Sequence, residues 1–158
     1  MYTTDRLTIR TFVPRDIVPL TDLFLSSEAM RFIGPRRAMT VDESKKWLQS
    51  QMDAQETEVT RYAVALKDTN ELIGVCGFQK IDGAWDFGYY FRPSFWGRGF
   101  ASEACIYLLG LAREILKGED FIVFVGRDNV ASHRVMERCG LRKGTKAVKD
   151  NEQGYLYI

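Results

Sequence analysis

The sequence predicts an α/β (α+β) protein: a mixed, mostly antiparallel sheet flanked by helices. Three observations predict it. The middle of the chain holds three consecutive runs of strand character joined by short polar turns, a meander. The third run leads through a glycine-bearing turn into a strongly periodic helix. Strand and helix then alternate to a last pair of strands, and alternation around a meander implies a mixed sheet with helices packed on it. At 158 residues and 46% hydrophobic, the chain is long enough for one domain with one substantial core, taken as residues 1–158.

In order, Leu7, Ile9 and Thr11 alternate with Arg6, Thr8 and Arg10, a half-buried first strand ended by Pro14. Asp16 is placed to cap a helix carrying Ile17, Leu20, Leu23 and Phe24 on one face. Ser27 to Ile33 reads as a second short helical piece stopped by Gly34-Pro35. Thr40-Val41-Asp42-Glu43 has the form of a capping box before a helix with Trp47, Leu48 and Met52. Tyr62, Val64 and Leu66 mark the first meander strand, and Asp68-Thr69-Asn70-Glu71 a turn. Leu72 to Ile81 is the second strand, and Asp82-Gly83 turns into the third. Gly74 and Gly77 inside the second strand predict a close approach or a bulge.

The third strand, Asp86-Phe87-Gly88-Tyr89-Tyr90-Phe91, opens the stretch around which the rest is organised. A short connection, Arg92-Pro93-Ser94-Phe95, gives way to Trp96-Gly97-Arg98-Gly99-Phe100. Ala101, Ala104, Cys105, Leu108, Leu111, Ala112 and Ile115 then mark one face of a helix. Unpaired backbone N–H groups gather at a helix start, where the dipole favours negative charge. Glycines let a ligand approach the backbone closely. A pyrophosphate is the natural guest of such a tip, although the same spacing also describes an ordinary turn. Two nucleotide fingerprints are excluded: Ser102 stands where the third small residue of a dinucleotide motif belongs, and no Gly-Lys-Ser/Thr run exists.

Beyond the helix, Phe121-Ile122-Val123-Phe124-Val125 reads as a central strand buried on both faces. Asn129 can cap a helix with Ala131, Val135, Met136 and Cys139 inward, stopped by Gly140. One or two strands follow Leu141, with Tyr155-Leu156-Tyr157 the clearer.

Gly88-Tyr89, Pro93 and the run Trp96 to Ala104 resemble the acetyl-CoA-binding motif of the GNAT superfamily of N-acetyltransferases, most closely its RimJ/RimL-type ribosomal-protein N-terminal branch. Asn129-Val130-Ala131-Ser132-His133-Arg134 with Cys139-Gly140-Leu141 resembles that branch's second signature. Thr4 to Arg10 with Asp16 resembles its opening strand and helix. The resemblance implies acetyl-CoA as cosubstrate. It would enter a gap where the third meander strand splays from the strand after the motif helix, and the amine would arrive from the other side. It places the pyrophosphate on the N–H groups of Gly97, Arg98, Gly99, Phe100, Ala101 and Ser102, with charge added by Arg98. Backbone groups of Tyr89, Tyr90 and Phe91 would pair with the pantetheine and polarise the thioester carbonyl, and the Asn129 amide would touch the pantetheine arm. The region before the capping-box helix would line the amine cleft, where Arg31, Arg36 and Arg37 read either as contacts for an acidic acceptor or as a solvated basic loop.

The attacking amine must be neutral. A lysine, with pKa near 10.4, is neutral at pH 7 about once in 2,500 molecules, roughly 4.6 kcal/mol against reaction. An N-terminal α-amine is handicapped by only about 1–1.4 kcal/mol. The sequence offers no strong base. The tyrosine many relatives use as an acid falls at Met136, and the glutamate some place on the fifth strand falls at Phe124. Ser132 matches the serine assigned to protonate the departing thiolate, and reads equally as a hydroxyl in a helix's first turn. Asp86, two before the Gly-Tyr pair, stands where relatives often carry an acidic residue, and the resemblance implies that it orients the amine or deprotonates it through water. Glu103 reads as structural, an acid in a first helical turn. His133, the only histidine, reads as a surface residue beside Ser132. The tail after Leu141 lacks the Glu-Gly pair and late aspartate common in the RimJ/RimL branch.

The expected acceptor is therefore a protein or peptide N-terminal α-amine. The alternatives are a small amine (antibiotic, polyamine or amino acid) or a non-catalytic acyl-CoA-binding module. A net charge of +1 gives no field to recruit nucleic acid or an anionic membrane. No metal spacing occurs among Cys76, Cys105 and Cys139, which read as buried free thiols of a reducing cytoplasm. The oligomeric state is left open, a homodimer included.

Overall fold

The computed structural model describes residues 1–158. Strands β1 (Tyr2–Thr3), β2 (Leu7–Arg10), β3 (Arg61–Leu66), β4 (Leu72–Ile81), β5 (Ala84–Phe91), β6 (Phe121–Gly126), β7 (Lys143–Lys149) and β8 (Glu152–Tyr157) form one eight-stranded sheet in the order β1-β2-β3-β4-β5-β6-β8-β7. Helices α1 (Ile17–Phe24) and α2 (Val41–Ala54) share a core with the sheet on one face; α3 (Phe100–Gly110), α4 (Ala112–Ile115) and α5 (Val130–Arg138) belong to a larger core on the other. Every neighbouring pair is antiparallel except β5–β6. That parallel pair is joined only at Trp85↔Phe121 and Asp86↔Ile122. Past Asp86 the strands part, and β6 pairs instead with β8 from Val123↔Tyr157 to Gly126↔Gly154. The predicted mixed sheet with one splayed pair is the observed fold.

Local chemistry explains the turns. Asp82 and Gly83 both adopt positive φ, 49° and 84°, the conformation of a tight hairpin turn, and Ile81 pairs directly with Ala84. In β4, a Cβ on Gly74 would strike the Phe91 ring and one on Gly77 the backbone of Thr60, so both glycines mark close approaches. The capping box forms as expected: Glu43 N–H donates to Thr40 Oγ1 (3.1 Å) and Thr40 N–H to Glu43 Oε1 (3.3 Å).

Several expectations are corrected. β2 ends at Arg10, and Thr11 is exposed outside it. Arg10 is buried because Asp16 meets it in two hydrogen bonds of 2.9 Å. Asp16 therefore does not cap α1 with its side chain. It ends the 3-10 turn Pro14–Asp16 and accepts from Val13 N–H. Ser27 to Ile33 makes turns rather than a helix. The motif helix breaks at Leu111 into α3 and α4. β6 is not buried on both faces: Val123 and Val125 enter the core, but Ile122 is 41% exposed, because no helix covers that face where the sheet parts. In α5 the core positions are His133 and Met136, while Ala131 is exposed. Cys76 and Cys105 are buried, and Cys139 is only half-buried; all three are free.

Candidate active site

The parting of β5 from β6 leaves the β5 edge from Phe87 to Phe91 without a strand partner on that side. A cavity of about 580 Å³ opens there. Its walls come from β5 (Tyr89, Tyr90, Phe91), the tip of α3 (Gly97, Gly99, Phe100, Ala101, Ser102), α5 with its cap (Asn129, Ser132) and the α1–α2 loop (Arg31, Phe32).

At the α3 tip, Gly97 and Gly99 take φ of 72° and 82°, a left-handed geometry that glycine adopts freely. The first backbone bond of the helix is Glu103 N–H to Gly99 O (3.0 Å), and no side chain caps it. The N–H groups of Gly97 through Ser102 therefore have no backbone acceptor, and all of these residues but Arg98 line the cavity. A Cβ at Gly97 would meet nothing within 4 Å, so the approach is open. Backbone donors, a positive helix end and open space together fit a diphosphate.

Arg6, which sequence reading placed in a motif without a role, fastens this tip. Its Nη1 donates to Arg98 O (2.9 Å), its Nε to Glu103 Oε2 (2.7 Å), and its guanidinium lies 4.2 Å from the Phe100 ring centre. Burial alone would raise the Glu103 pKa, but hydrogen bonds from Thr4 and Arg6 outweigh it and hold the carboxyl below its usual range. Glu103 is thus structural, through Arg6 and Thr4 more than through the dipole. Arg98 is exposed, its guanidinium over the rings of Phe95 and Phe100 (5.5 and 5.1 Å). Trp96 Nε1–H donates to Phe91 O (2.8 Å), so the last carbonyl of β5 is already engaged.

On the opposite wall, Asn129 Oδ1 accepts from Ser132 N–H (3.3 Å), capping α5 and leaving the amide NH₂ free. Ser132 Oγ accepts from the Tyr89 hydroxyl at 2.7 Å. His133 is buried, not on the surface. Its Nε2 contacts Gly126 O (3.0 Å) and its Nδ1 the Tyr157 hydroxyl (2.7 Å), an arrangement satisfied by an Nε2–H donor and an Nδ1 acceptor. Both nitrogens therefore tie α5 to the sheet.

Asp86 does not line this cavity. It is 6% exposed at the crotch of the splay, where it accepts from Lys149 Nζ (2.9 Å) and borders a smaller cavity of about 330 Å³ with Ile122, Phe124 and Val148. The three loop arginines divide. Arg36 crosses to the β7–β8 hairpin, pairing with Glu152 and, at 3.8 Å, with Asp150. Arg37 pairs with Glu43 at 3.0 Å. Only Arg31 faces the cavity, its guanidinium beside Phe32. The pairs of Arg36 with Glu152 and of Asp86 with Lys149 leave no local trace in a sequence, standing 116 and 63 positions apart.

Comparison with known proteins bears on this arrangement. Residues 6–142 match the family model of the acetyltransferase (GNAT) domain. An uncharacterized N-acetyltransferase of Bacillus subtilis, YoaA, is 30% identical over 145 residues, 89% of this chain and 81% of its own. A GNAT-family acetyltransferase structure from Bacillus anthracis superposes with a TM-score of 0.83 at 26% identity, covering 98% of this chain and 95% of that one. Two more distant structures share the fold. One is RimL, an L7/L12 α-N-protein acetyltransferase, in complex with CoA (TM-score 0.75, 20% identity, covering 99% and 93%). The other is a spermidine N-acetyltransferase from Vibrio cholerae with CoA and spermine (TM-score 0.78, 19% identity, covering 98% and 96%).

Proposed function

The chain belongs to the GNAT acetyltransferases and uses acetyl-CoA as cosubstrate, and from that premise we propose that it acetylates a protein or peptide N-terminal α-amine by direct attack in a ternary complex. The observation that carries the reading is the splay itself: an open β5 edge between a bare helix tip and the Ser132 hydroxyl. Acetyl-CoA supplies an acyl group on a good leaving thiol. Gly97 to Ser102 would hold its diphosphate by backbone N–H groups, and the β5 edge would donate to the thioester oxygen as charge grows there. Asn129 would steady the pantetheine arm, and Arg98 would add positive charge at the rim. Ser132 would hold the charge of the departing sulfur by a hydrogen bond from its hydroxyl. Asp86, paired with Lys149, would take the amine's proton through water from the crotch of the splay.

Two features support an α-amine. No strong base lines the cavity, and an α-amine needs one least, by about 3 kcal/mol relative to lysine. The cavity wall carries Arg31, Arg134 and Arg138 against Glu28 and Asp128, a lining that suits a diphosphate and disfavours a polycation. The RimJ/RimL-type likeness and a cytoplasmic setting belong to this same proposal. The small-amine reading keeps one observation in its favour, the shared fold of the spermidine enzyme.

The test is thiol release from acetyl-CoA with a panel of peptides bearing free or blocked α-amines, alongside spermidine and aminoglycosides. Turnover on free α-amines, lost on blocking, is expected. Turnover confined to small amines removes the α-amine reading, and binding without turnover on any amine favours a non-catalytic module. Ser132→Ala should lower kcat by about tenfold or more while leaving acetyl-CoA affinity nearly unchanged, as loss of a hydrogen bond to developing charge does.

A further inference from the structure

The sequence reading used only the backbone of Tyr89, yet its side chain is aimed at the centre of the site. The ring is half-buried on β5, and its hydroxyl reaches Ser132 Oγ on α5, 43 residues later, at 2.7 Å. Neither hydroxyl has another partner within hydrogen-bond reach, and the phenol, much the more acidic of the two, is the better donor, so its proton goes to the serine oxygen. Burial pushes the phenol pKa well above its ordinary value, so Tyr89 remains a donor throughout the working pH range. Ser132 Oγ thus has one lone pair filled, while its own hydrogen has no acceptor within the protein. Its backbone N–H is fixed separately by Asn129 (3.3 Å). The free O–H stands in the cavity wall between the β5 edge and α5.

We infer that Tyr89 is a positioning residue for acyl transfer: by donating to Ser132 Oγ, it turns the serine's own hydrogen toward the sulfur of the bound thioester. The inference rests on the role of Ser132 proposed above. In the transfer, the amine nitrogen bonds to the acyl carbon, and the carbon–sulfur bond breaks with its electron pair going to sulfur. The nitrogen sheds its proton to water, and Ser132 O–H holds the sulfur's new charge by a hydrogen bond. Tyr89 keeps its proton, and its task is to stop Ser132 from acting as an acceptor. Met136 occupies the place of the family's usual acid tyrosine and offers no such group.

The sulfur's own titration tests this without any acceptor amine. Thiolate absorbance of CoA bound to the intact protein gives the pKa of the bound thiol. In the wild type it should lie below that of free CoA by about one unit, a tenfold gain in thiolate. Tyr89→Phe should remove most of that depression, Ser132→Ala all of it, and the double variant no more than Ser132→Ala alone. CoA affinity at acid pH, where the thiol is neutral, should stay within about twofold in each, which also confirms that the variants are folded. With an amine acceptor, Tyr89→Phe should reduce kcat and spare the acetyl-CoA KM. If Ser132→Ala abolishes the depression but Tyr89→Phe leaves it whole, the positioning role is wrong while the Ser132 assignment stands. If the wild type shows no depression, or Ser132→Ala does not alter it, both fall.

Discussion

The two sides of the splay are built in different ways. The donor side is mostly main chain: the open edge of β5 and the amides of Gly97 to Ser102, with Arg6 as the tether beneath. Away from that tip, paired side chains do the fastening: Arg10–Asp16 at the start of α1, Arg36 reaching the β7–β8 hairpin, Arg37 on Glu43 and Lys149 on Asp86. Main-chain sites are set by where glycine permits a left-handed turn, so they tolerate side-chain change and recognise a constant ligand. Side-chain pairs shift with each substitution, so on the proposed reading the acceptor's half is the more variable one.

Breaking the buried Arg10–Asp16 pair should give the largest effect. Asp16→Ala leaves Arg10 in the interior without its counter-charge, its other hydrogen bonds to Asn70 and Thr11 notwithstanding, a loss of about 3–5 kcal/mol. Thermal unfolding should shift down by about 10 °C for a chain of this size. A shift under about 2 °C would show that the fold does not depend on this pair.

Next in size is a change on the donor side. A carboxylate at Gly99 would come within reach of Arg6, so Gly97, which faces open space, gives the cleaner experiment. Gly97→Asp combines left-handed strain of about 1–2 kcal/mol with repulsion of the diphosphate, about 3 kcal/mol together, so acetyl-CoA affinity should fall roughly 100-fold by calorimetry. Unchanged affinity would place the diphosphate elsewhere.

Arg36→Ala should separate the two sides. It frees the α1–α2 loop from the β7–β8 hairpin and should change the acceptor KM by about fivefold, the worth of a partly exposed ion pair of about 1 kcal/mol. Acetyl-CoA KM should not move. A change in both would mean that the loop serves the donor side as well.

The smallest effect concerns acid. Glu103 has its pKa lowered in the fold, so its contribution to stability is complete above the unfolded value of about 4.3 and fades as pH falls through the lower folded value. Stability measured from pH 5 downward should show this loss, and Glu103→Gln should flatten that part of the profile. An identical profile in the variant would remove Glu103 from the tip's support.

How much of this was legible follows the same division. The meander, the capping box and the glycine tip are written in local patterns, and each forms as expected. Errors arose where tertiary partners decide. Arg10 looked like a solvent-facing alternate until Asp16 buried it. His133 looked exposed until Gly126 and Tyr157 claimed both nitrogens. Phe121 to Val125 looked buried on both faces, but the sheet parts there and exposes Ile122. The 2.7 Å contact of Tyr89 with Ser132 joins two motifs that were each visible, while nothing in either announces the other.

The account stands on main-chain amides at the α3 tip gripping a diphosphate, and a crystal structure of this protein with CoA tests it most directly. Diphosphate oxygens should lie about 2.7–3.2 Å from N–H groups between Gly97 and Ser102. CoA bound with its diphosphate away from that tip, or a tip filled by the protein's own side chains, would contradict the account.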